Sequence, residues 1–293
     1  MLYRHVDILN ANGFQAYIVH SSRKFEISWF EYSTPVLRGR IAMNGGDIAV
    51  YSEIGGLNIG EWAKGKRTVI FNQNCYYSFT RYPMEGRVKT PYLQPDVIAT
   101  IVVSDDSKRY LEWVFPKLPV HRIRYSIHPK IYYPQEKKQQ ICFMPRKNKE
   151  DAKQVLYMLR YRKKLAGWTI RPIEGVSEAR AAEIIRESAI FMSFGHPEGF
   201  GLPPAEAMAS EAIVIGYDGR GGSEFWQGHG IQIETGDILG YAQEMENVLE
   251  EYSRDPSRLK AMAKDAGRFV RDTYSLEAER QSIVGCWEAI LAG

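Results

Sequence analysis

The stretch GHPEGFGLPPAEAMAS, residues 195–210, carries two carboxylates, Glu198 and Glu206, on either side of a glycine- and proline-rich turn. It follows the apolar run AIFMSF (189–194), which is typical of a buried parallel strand. Proline is favoured in the first turn of a helix because its missing N–H is not needed there, so we expect a helix that begins near Pro204. The pattern predicts a strand, a turn and a helix, with one acid in the turn and the other inside the helix.

A turn of this kind is suited to a polar or anionic ligand. Open α/β sheets bind ligands at the carboxyl ends of their strands, and a helix N-terminus favours negative charge. Gly199 and Gly201 would let the backbone approach a ligand closely. Glu198 can accept hydrogen bonds from hydroxyl groups near a phosphate, and Glu206 can hold a vicinal diol; a sugar nucleotide offers both. Alternatively, Glu206 only stabilises the helix dipole, and Glu198 is an exposed loop residue.

Short apolar runs alternate with amphipathic runs along the rest of the chain. Strand-like runs rich in valine, isoleucine and aromatic residues occupy 16–20, 47–52, 67–73, 99–104, 140–145, 168–174, 189–194 and 212–218. Helix-like runs occupy 2–12, 58–64, 105–115, 149–165, 177–187, 204–210, 238–254, 256–272 and 276–291. This alternation predicts an α/β protein with parallel sheets.

Two doubly wound domains, 1–133 and 134–275, are predicted from this rhythm. The joint lies in SIHPKIYYPQEKKQ (126–139), which holds two prolines and a charged run. The last helix, within 276–293, should pack against one domain or cross back to the other. The chain opens with a helical pattern that stops at Gly13, so we expect that the N-terminal domain lacks its first strand, which is central in a doubly wound sheet.

The composition is that of an ordinary soluble protein, with 44% hydrophobic and 25% charged residues. The net charge of +3 is too small to indicate nucleic-acid binding. Cys75, Cys142 and Cys286 lack metal-ligand spacing and favour a reducing compartment. No apolar run approaches the roughly 20 residues that cross a bilayer. We expect a cytoplasmic protein, and six tryptophans leave peripheral contact with the inner face of the membrane open.

The longer segment SFGHPEGFGLPPAEAMASEAIVIGYDGRGGSEF (193–225) resembles the E-x7-E signature of retaining GT-B glycosyltransferases of the family 4 type. The resemblance is specific over about 140–235 and looser over 1–135. The matching positions are Ser193, Glu198, Gly199, Phe200, Gly201, Leu202, Pro203, Glu206, Ala207, Met208 and Ala209.

This resemblance implies two Rossmann-like domains facing a cleft, the C-terminal one for a nucleoside-diphosphate sugar and the N-terminal one for the acceptor. The implied reaction moves the sugar to a hydroxyl of a glycan or lipid-linked acceptor with retention of configuration, without a metal or another cofactor. By position, Glu206 would hold the ribose and Glu198 the donor sugar. The backbone amides of Gly199, Phe200, Gly201 and Leu202 would line the same pocket.

Basic residues are needed to neutralise a leaving diphosphate when no metal does so. Arg146 and Lys147, in MPRKNK (144–149), follow a predicted strand; arginine offers a planar fork for phosphate oxygens and lysine a point charge. The resemblance implies a lysine several residues later, where Asp151 stands, so Lys147 or Lys149 would substitute. The alternative is a solvated basic start of a helix.

Two further segments fall at positions that the resemblance associates with the donor. Backbone groups near Glu174 and Val176, in RPIEGVSEAR (171–180), would read the nucleobase, although the same segment is also a plain link with Ser177 as helix N-cap. Glu224, in GGSEF, matches an acid of the loop that helps to enclose the diphosphate or sugar.

Polar residues outside these segments have ordinary alternatives. We interpret His196 as a loop histidine in preference to a catalytic base, and Asn72 and Asn74 as a polar turn at a strand end. Two other functions remain open: a catalytically degenerate nucleotide-sugar-binding or scaffold protein of the same fold, and a phosphate-using epimerase or phosphorylase. The residues show no motif for a cofactor lysine or a free-phosphate site.

Overall fold

The computed structural model describes residues 2–25, 32–86 and 88–293. The chain divides into two compact units, of which the first is Met1–Tyr125 with Glu277–Gly293 and the second is Ser126–Leu276. The predicted boundary lay further on, at 133–134. The segment from Ser126 onwards belongs with the second unit because the N–H of Ile127 donates to the carbonyl oxygen of Tyr274 at 2.9 Å, and Tyr132 is buried.

The first unit alternates helices with short parallel strands. Strands β3, β4, β5 and β6 form a four-stranded sheet in that order, while β1 and β2 pair separately. The two middle strands are almost wholly buried, as expected for parallel strands covered on both faces. The elements are α1 (Leu2–Ala11), β1 (Ile18–His20), β2 (Val36–Arg38), β3 (Ala49–Ser52), α2 (Asn58–Ala63), β4 (Thr68–Asn72), β5 (Val97–Val102), α3 (Asp105–Val114) and β6 (Val120–Arg122).

The second unit is a five-stranded parallel sheet with the order β11-β10-β9-β7-β8. Its core includes the apolar residues of β7, β9 and β10 and the facing sides of its helices. The elements are β7 (Lys138–Phe143), α4 (Lys149–Tyr161), β8 (Thr169–Pro172), α5 (Glu178–Glu187), β9 (Ser188–Ser193), α6 (Leu202–Ala209), β10 (Ile213–Gly216), α7 (Ser223–Trp226), β11 (Ile231–Gln232), α8 (Ile238–Arg254) and α9 (Ser257–Thr273).

The last helix, α10 (Leu276–Ala292), packs within the first unit through a mostly apolar buried face that also carries Glu279. Trp287 Nε1 donates to His5 Nε2 at 2.7 Å. Glu279, which is buried, lies 2.6 Å from the Arg4 guanidinium. Because His5 and Arg4 both belong to α1, the two ends of the chain are joined in one core.

The predicted strands and helices are confirmed, with boundaries that differ by a few residues. The prediction that α6 begins near Pro204 was wrong: it begins at Leu202, directly after Gly201, which has a left-handed φ of +89°. The sequence patterns did not predict β2, β6, α7 and β11, which have only two to four residues each. The absence of a first strand stays a prediction. None of the helices in the described part of the chain is long and apolar enough to cross a membrane.

Candidate functional site

A pocket, called here the switch-point pocket, opens in the second unit where the order of successive strands in the sheet reverses. From β7 the chain passes to β8 on one side, and β9 then returns to the other side of β7. Loops leaving the carboxyl ends of β7 and β9 therefore diverge, which is where open α/β sheets bind ligands. The pocket is lined by Met144, Arg146, Lys147, Phe191, Met192, Ser193, Phe194, Gly195, Glu198, Gly201, Pro203, Pro204 and Asp218.

Three of the predicted charged residues meet in this pocket. Lys147 Nζ lies 3.0 Å from Glu198 Oε1 and also donates to the carbonyl oxygen of Pro197 at 2.5 Å. Arg146 Nη2 is 3.9 Å from the same Glu198 oxygen. The Lys147 side chain is 15% exposed and that of Arg146 77%. Lys147 therefore holds the carboxylate from inside, and the Arg146 guanidinium remains accessible to a ligand.

The backbone of Glu198 is held by the glycine-rich loop after β10. Its N–H donates to Gly219 O at 2.8 Å, and its carbonyl oxygen accepts from the N–H of Gly221 at 3.2 Å. A Cβ on Gly221 would lie only 2.2 Å from the carbonyl oxygen of Gly199. Glycine is therefore required for the two loops to approach this closely. Sequence reasoning missed this role, although the three glycines of DGRGG (218–222) were a usable signal.

Asn148 ties the loop after β7 to the loop after β9. Its Nδ2 donates to the carbonyl oxygen of Phe194 at 2.8 Å, and its backbone is left-handed, with φ +49°. Asparagine tolerates that conformation better than most residues do. The side chain was not predicted as part of the site; an asparagine directly before a helix start was the signal that could have identified it.

Glu206 lies one turn inside α6, and the residue as a whole is half-buried. Burial raises the pKa of Glu206 to about 7, and the negative charge of Glu178 adds to the rise, while a hydrogen bond with the Tyr132 hydroxyl opposes it. The described residues that line the pocket do not include Glu206. The predicted position inside the helix is confirmed, although the first turn of α6 itself holds no acid. The partner Tyr132 was missed because it lies in the segment interpreted as a joint.

The segment between the two acids presents its backbone, not its largest side chain. Phe200 is buried, with its ring centroid 5.2 Å from that of Phe225 and 5.1 Å from that of Tyr274. Gly199 is also buried, and Leu202 is half-buried. Any contact of Phe200 with a ligand must therefore come from its amide.

Glu224 is engaged in the same aromatic cluster. Its Oε1 accepts from the Tyr274 hydroxyl at 2.8 Å. The structure thus shows a hydrogen bond within the protein for this acid, and its predicted contact with the donor stays a prediction.

Glu174 and Val176 lie on the loop after β8, outside the lining of the pocket as far as the chain is described. Glu174 Oε2 is 3.9 Å from Lys149 Nζ, and the Val176 side chain is exposed. Ser177 Oγ accepts from the N–H of Arg180, so the N-cap interpretation is confirmed. The predicted contact of this loop with a nucleobase stays a prediction.

The remaining polar candidates have structural partners. His196 Nδ1 lies 3.4 Å from Thr235 Oγ1, and its pKa is lowered, mainly by burial and then by Arg220. Asn72 Nδ2 donates to Tyr92 Oη at 2.7 Å, and Asn74 caps the short turn Cys75–Tyr77. The interpretation of Asn72 and Asn74 as a polar strand-end turn is confirmed.

Solved structures identify the fold class. The sucrose-phosphate synthase of Thermosynechococcus elongatus superposes with a TM-score of 0.72 at 13% identity, covering 99% of this chain and 92% of that one. The pneumococcal O-GlcNAc transferase GtfA, solved in complex with UDP and GlcNAc, gives a TM-score of 0.58 at 14% identity, covering 85% and 57%. The predicted fold class is confirmed: the chain is an α/β protein of the GT-B type with two Rossmann-like units.

Curated relatives with similar sequence carry glycosyltransferase names, while no family model matches the chain. An alpha-1,6-glucosyltransferase of Actinobacillus pleuropneumoniae is 29% identical over 180 residues, which is 59% of this chain and 52% of that protein. The lipopolysaccharide core biosynthesis mannosyltransferase LpcC of Rhizobium leguminosarum is 29% identical over 108 residues, or 36% and 30%. The aligned part of the chain thus spans about half the length of the first relative and less of the second.

Proposed function

We propose that this chain is a glycosyltransferase that moves a hexosyl group from a nucleoside-diphosphate sugar to a hydroxyl of a glycan or lipid-linked acceptor. In this proposal the anomeric configuration is retained, and neither a metal ion nor another cofactor takes part. The observation that carries it is the Lys147–Glu198 pair, with Arg146 beside it, in the switch-point pocket. The names of both curated relatives support the class of reaction.

The charged residues of the pocket bind different parts of the donor. Arg146 and Lys147 bind the diphosphate, because a guanidinium fork and an ammonium are the side chains that best replace a metal there. Lys147 contacts Glu198 in the free protein and shares its charge with phosphate oxygens when the donor binds. The amides of Gly199, Phe200, Gly201 and Leu202 add donors at the start of α6.

The two carboxylates bind hydroxyl groups of the donor. Glu198 accepts from hydroxyls of the sugar that is transferred, and Glu206 accepts from the ribose diol. Glu174 and Val176 contribute backbone groups to the nucleobase loop, as the resemblance implies.

Transfer then breaks the bond between the anomeric carbon and the diphosphate oxygen and forms a bond to the acceptor oxygen on the same face. The acceptor proton passes to the leaving phosphate, so no separate base is needed. Catalysis comes from positioning and from stabilisation of the negative charge that develops on the diphosphate. The first unit takes the acceptor, and a lipid-linked acceptor would bring the protein to the inner face of the membrane.

The experiment that tests the proposal is donor binding by thermal unfolding, with UDP-, GDP- and ADP-sugars in the presence of EDTA. A ligand at 100 times its dissociation constant stabilises by about 2.7 kcal/mol, which raises Tm by several degrees. The variant Glu206→Gln should lose that shift, and Glu183→Gln, an exposed acid on α5, should keep it.

Turnover and stereochemistry require a second readout. Incubation of the stabilising donor with extracted glycans and lipids should yield a product whose anomeric proton coupling matches that of the donor. Binding without transfer to any acceptor would favour the alternative, a catalytically degenerate nucleotide-sugar-binding or scaffold protein. The absence of any shift, in a folded protein, would contradict both.

A further inference from the structure

A second pocket lies in the first unit and shares no residue with the site above. It opens at the carboxyl end of β6, beside the start of α3, and the first turns of α10 form its other wall. The side chains that matter are Asp105, Lys108, Arg122, Arg124, Gln281 and Ser282. The carboxyl ends of parallel strands are the usual position for ligands in open α/β sheets, so this position is itself suited to binding.

Three cations face one carboxylate in this pocket, which leaves two positive charges in excess. Asp105 Oδ1 lies 3.2 Å from Arg122 Nη1. The Arg122 side chain is 16% exposed and that of Asp105 66%. Because the carboxylate is largely in water, it compensates only part of the charge of one arginine.

Arg124 and Lys108 supply the excess charge. No ion pair within the described ranges 2–25, 32–86 and 88–293 involves the Arg124 guanidinium, which is exposed. Lys108 Nζ lies 3.8 Å from Glu112 Oε1, in a pair with both side chains exposed. Exposed pairs of that length are worth little, so both cations are available to an anion.

The backbone beneath Arg124 is fixed although its guanidinium is not engaged. The N–H of Arg124 donates to Ser282 Oγ at 2.9 Å, and Ser282 Oγ donates to the carbonyl oxygen of Glu279 at 2.9 Å. Since Glu279 is buried against Arg4, α10 is held firmly at this point. The rim of the pocket is therefore preorganised, and only the charged end of Arg124 has to settle on a ligand.

We propose that this basic pocket binds a phosphate group of a ligand other than the sugar-nucleotide donor. Arginine matches phosphate oxygens with its planar fork, and lysine adds a point charge. The excess of two charges matches a phosphate dianion, whereas a carboxylate carries one. Inorganic phosphate and the phosphate monoester of phosphatidic acid both approach that charge and present the same oxygens, so the chemistry is shared by both sources.

The test is a calorimetric titration of the full chain with inorganic phosphate at constant ionic strength. The pocket variant is Lys108→Gln with Arg124→Gln, both at exposed or half-buried ends that leave the core intact. The matched control is Arg109→Gln with Lys117→Gln, which removes the same charge from the same unit outside the pocket lining. Thermal unfolding of each variant shows that it is folded.

Wild type should bind with a Kd of roughly 1 mM or tighter. The pocket variant should bind at least about tenfold more weakly, which corresponds to about 1.4 kcal/mol, and the control should bind as wild type does. The proposal would be overturned if wild type showed no saturable binding to phosphate or vesicles, or if the control variant bound as weakly as the pocket variant. The pocket would then be an ordinary positively charged surface without a binding site.

Vesicles distinguish the two sources of phosphate. Sedimentation with phosphatidylcholine vesicles, with and without phosphatidic acid, is measured for the same three proteins. Binding that needs phosphatidic acid and is lost only in the pocket variant assigns the site to a lipid phosphate. Binding of inorganic phosphate without vesicle binding assigns it to a soluble phosphate. Because no donor nucleotide is present, failure of the transferase proposal would leave this result unaffected.

Discussion

Glu198 and Glu206 stand eight positions apart in one motif, and the fold surrounds them differently. Glu198 lies in the pocket with the ammonium of Lys147 3.0 Å away. Glu206 lies inside α6, where burial raises its pKa to about 7 and the negative charge of another acid, Glu178, adds to the rise. Two identical side chains thus become a paired carboxylate and a carboxyl that changes protonation near neutral pH. The identity of a residue in a motif does not set its charge; its neighbours do.

The largest effect is expected for a change that disrupts the loop contacts around Glu198. Gly221→Ala places a methyl group 2.2 Å from the carbonyl oxygen of Gly199, so the loop that holds Glu198 has to move. We expect the free energy of unfolding to fall by about 3 kcal/mol, as measured by denaturant titration.

Gly285→Ala is the matched control for that change. No atom lies within 4 Å of a Cβ at Gly285, which is inside α10. Alanine should stabilise the helix by up to about 1 kcal/mol. Equal stability of Gly221→Ala and wild type would show that the two loops do not approach as described.

Lys147→Met tests the pairing itself. The change removes the half-buried ammonium 3.0 Å from Glu198 and leaves the more distant, exposed Arg146 guanidinium at 3.9 Å. We expect kcat/KM for sugar transfer to fall about a hundredfold, as it does when a stabilising charge-assisted donor is removed. Lys149→Met, at an exposed position, should change kcat/KM little; a similar loss in both would argue against a special role for Lys147.

Glu206→Gln tests the other side through pH. The folded-state pKa of about 7 lies above the ordinary value of 4.5, so between these values the folded protein binds more protons than the unfolded one. This contribution to stability is fully present below pH 4.5 and is lost as the pH rises to 7. The variant should flatten that slope in denaturant titrations and be more stable at pH 7.5, by on the order of 1 kcal/mol.

Donor binding should have the opposite pH dependence, because the ionised carboxylate is the better acceptor for a diol. Wild-type affinity for the donor should therefore rise as the pH passes 7, while Glu206→Gln shows no such rise. If the pH dependence of stability in the variant equals that of wild type, Glu206 is not the group that titrates.

The smallest effect is expected for a change to the hydrogen-bond partner of Glu206. Tyr132→Phe removes the hydroxyl that lowers the pKa of Glu206, so the midpoint of the pH dependence should move upward by less than about one pH unit. Tyr133→Phe, which keeps the ring under the Arg186 guanidinium, should leave the midpoint in place. A downward shift in Tyr132→Phe would show that the hydroxyl does not stabilise the carboxylate.

Individual helices and strands were predictable because the residue pattern that favours each one lies within a short segment of the sequence. The run Ser188–Ser193 is buried at all six positions, and its apolar continuity indicates a covered parallel strand. Pro203 and Pro204 predict the helix α6. The left-handed backbone of Gly201, directly before Leu202, places the observed start two residues earlier than predicted.

Contacts between distant loops were not predictable from the same patterns. Lys147 and Glu198 were each candidates, but their pairing depends on β7 lying beside β9. The approach of Gly221 to Gly199 depends in the same way on β10 lying beside β9. Tyr132 meets Glu206 only because the segment after Ser126 folds with the second unit.

Sequence patterns were enough to predict the α/β class, the positions of most helices and strands, and the two acids around the glycine-rich turn. These features follow from periodicity, turn residues and prolines, which act on the backbone within a few residues. The strand order, the cation that pairs with Glu198, the raised pKa of Glu206 and the basic pocket beside α10 became visible only once the chain was folded. Those depend on which side chains and carbonyls are brought together and on how much water is excluded around them, and neither is a local property of the chain.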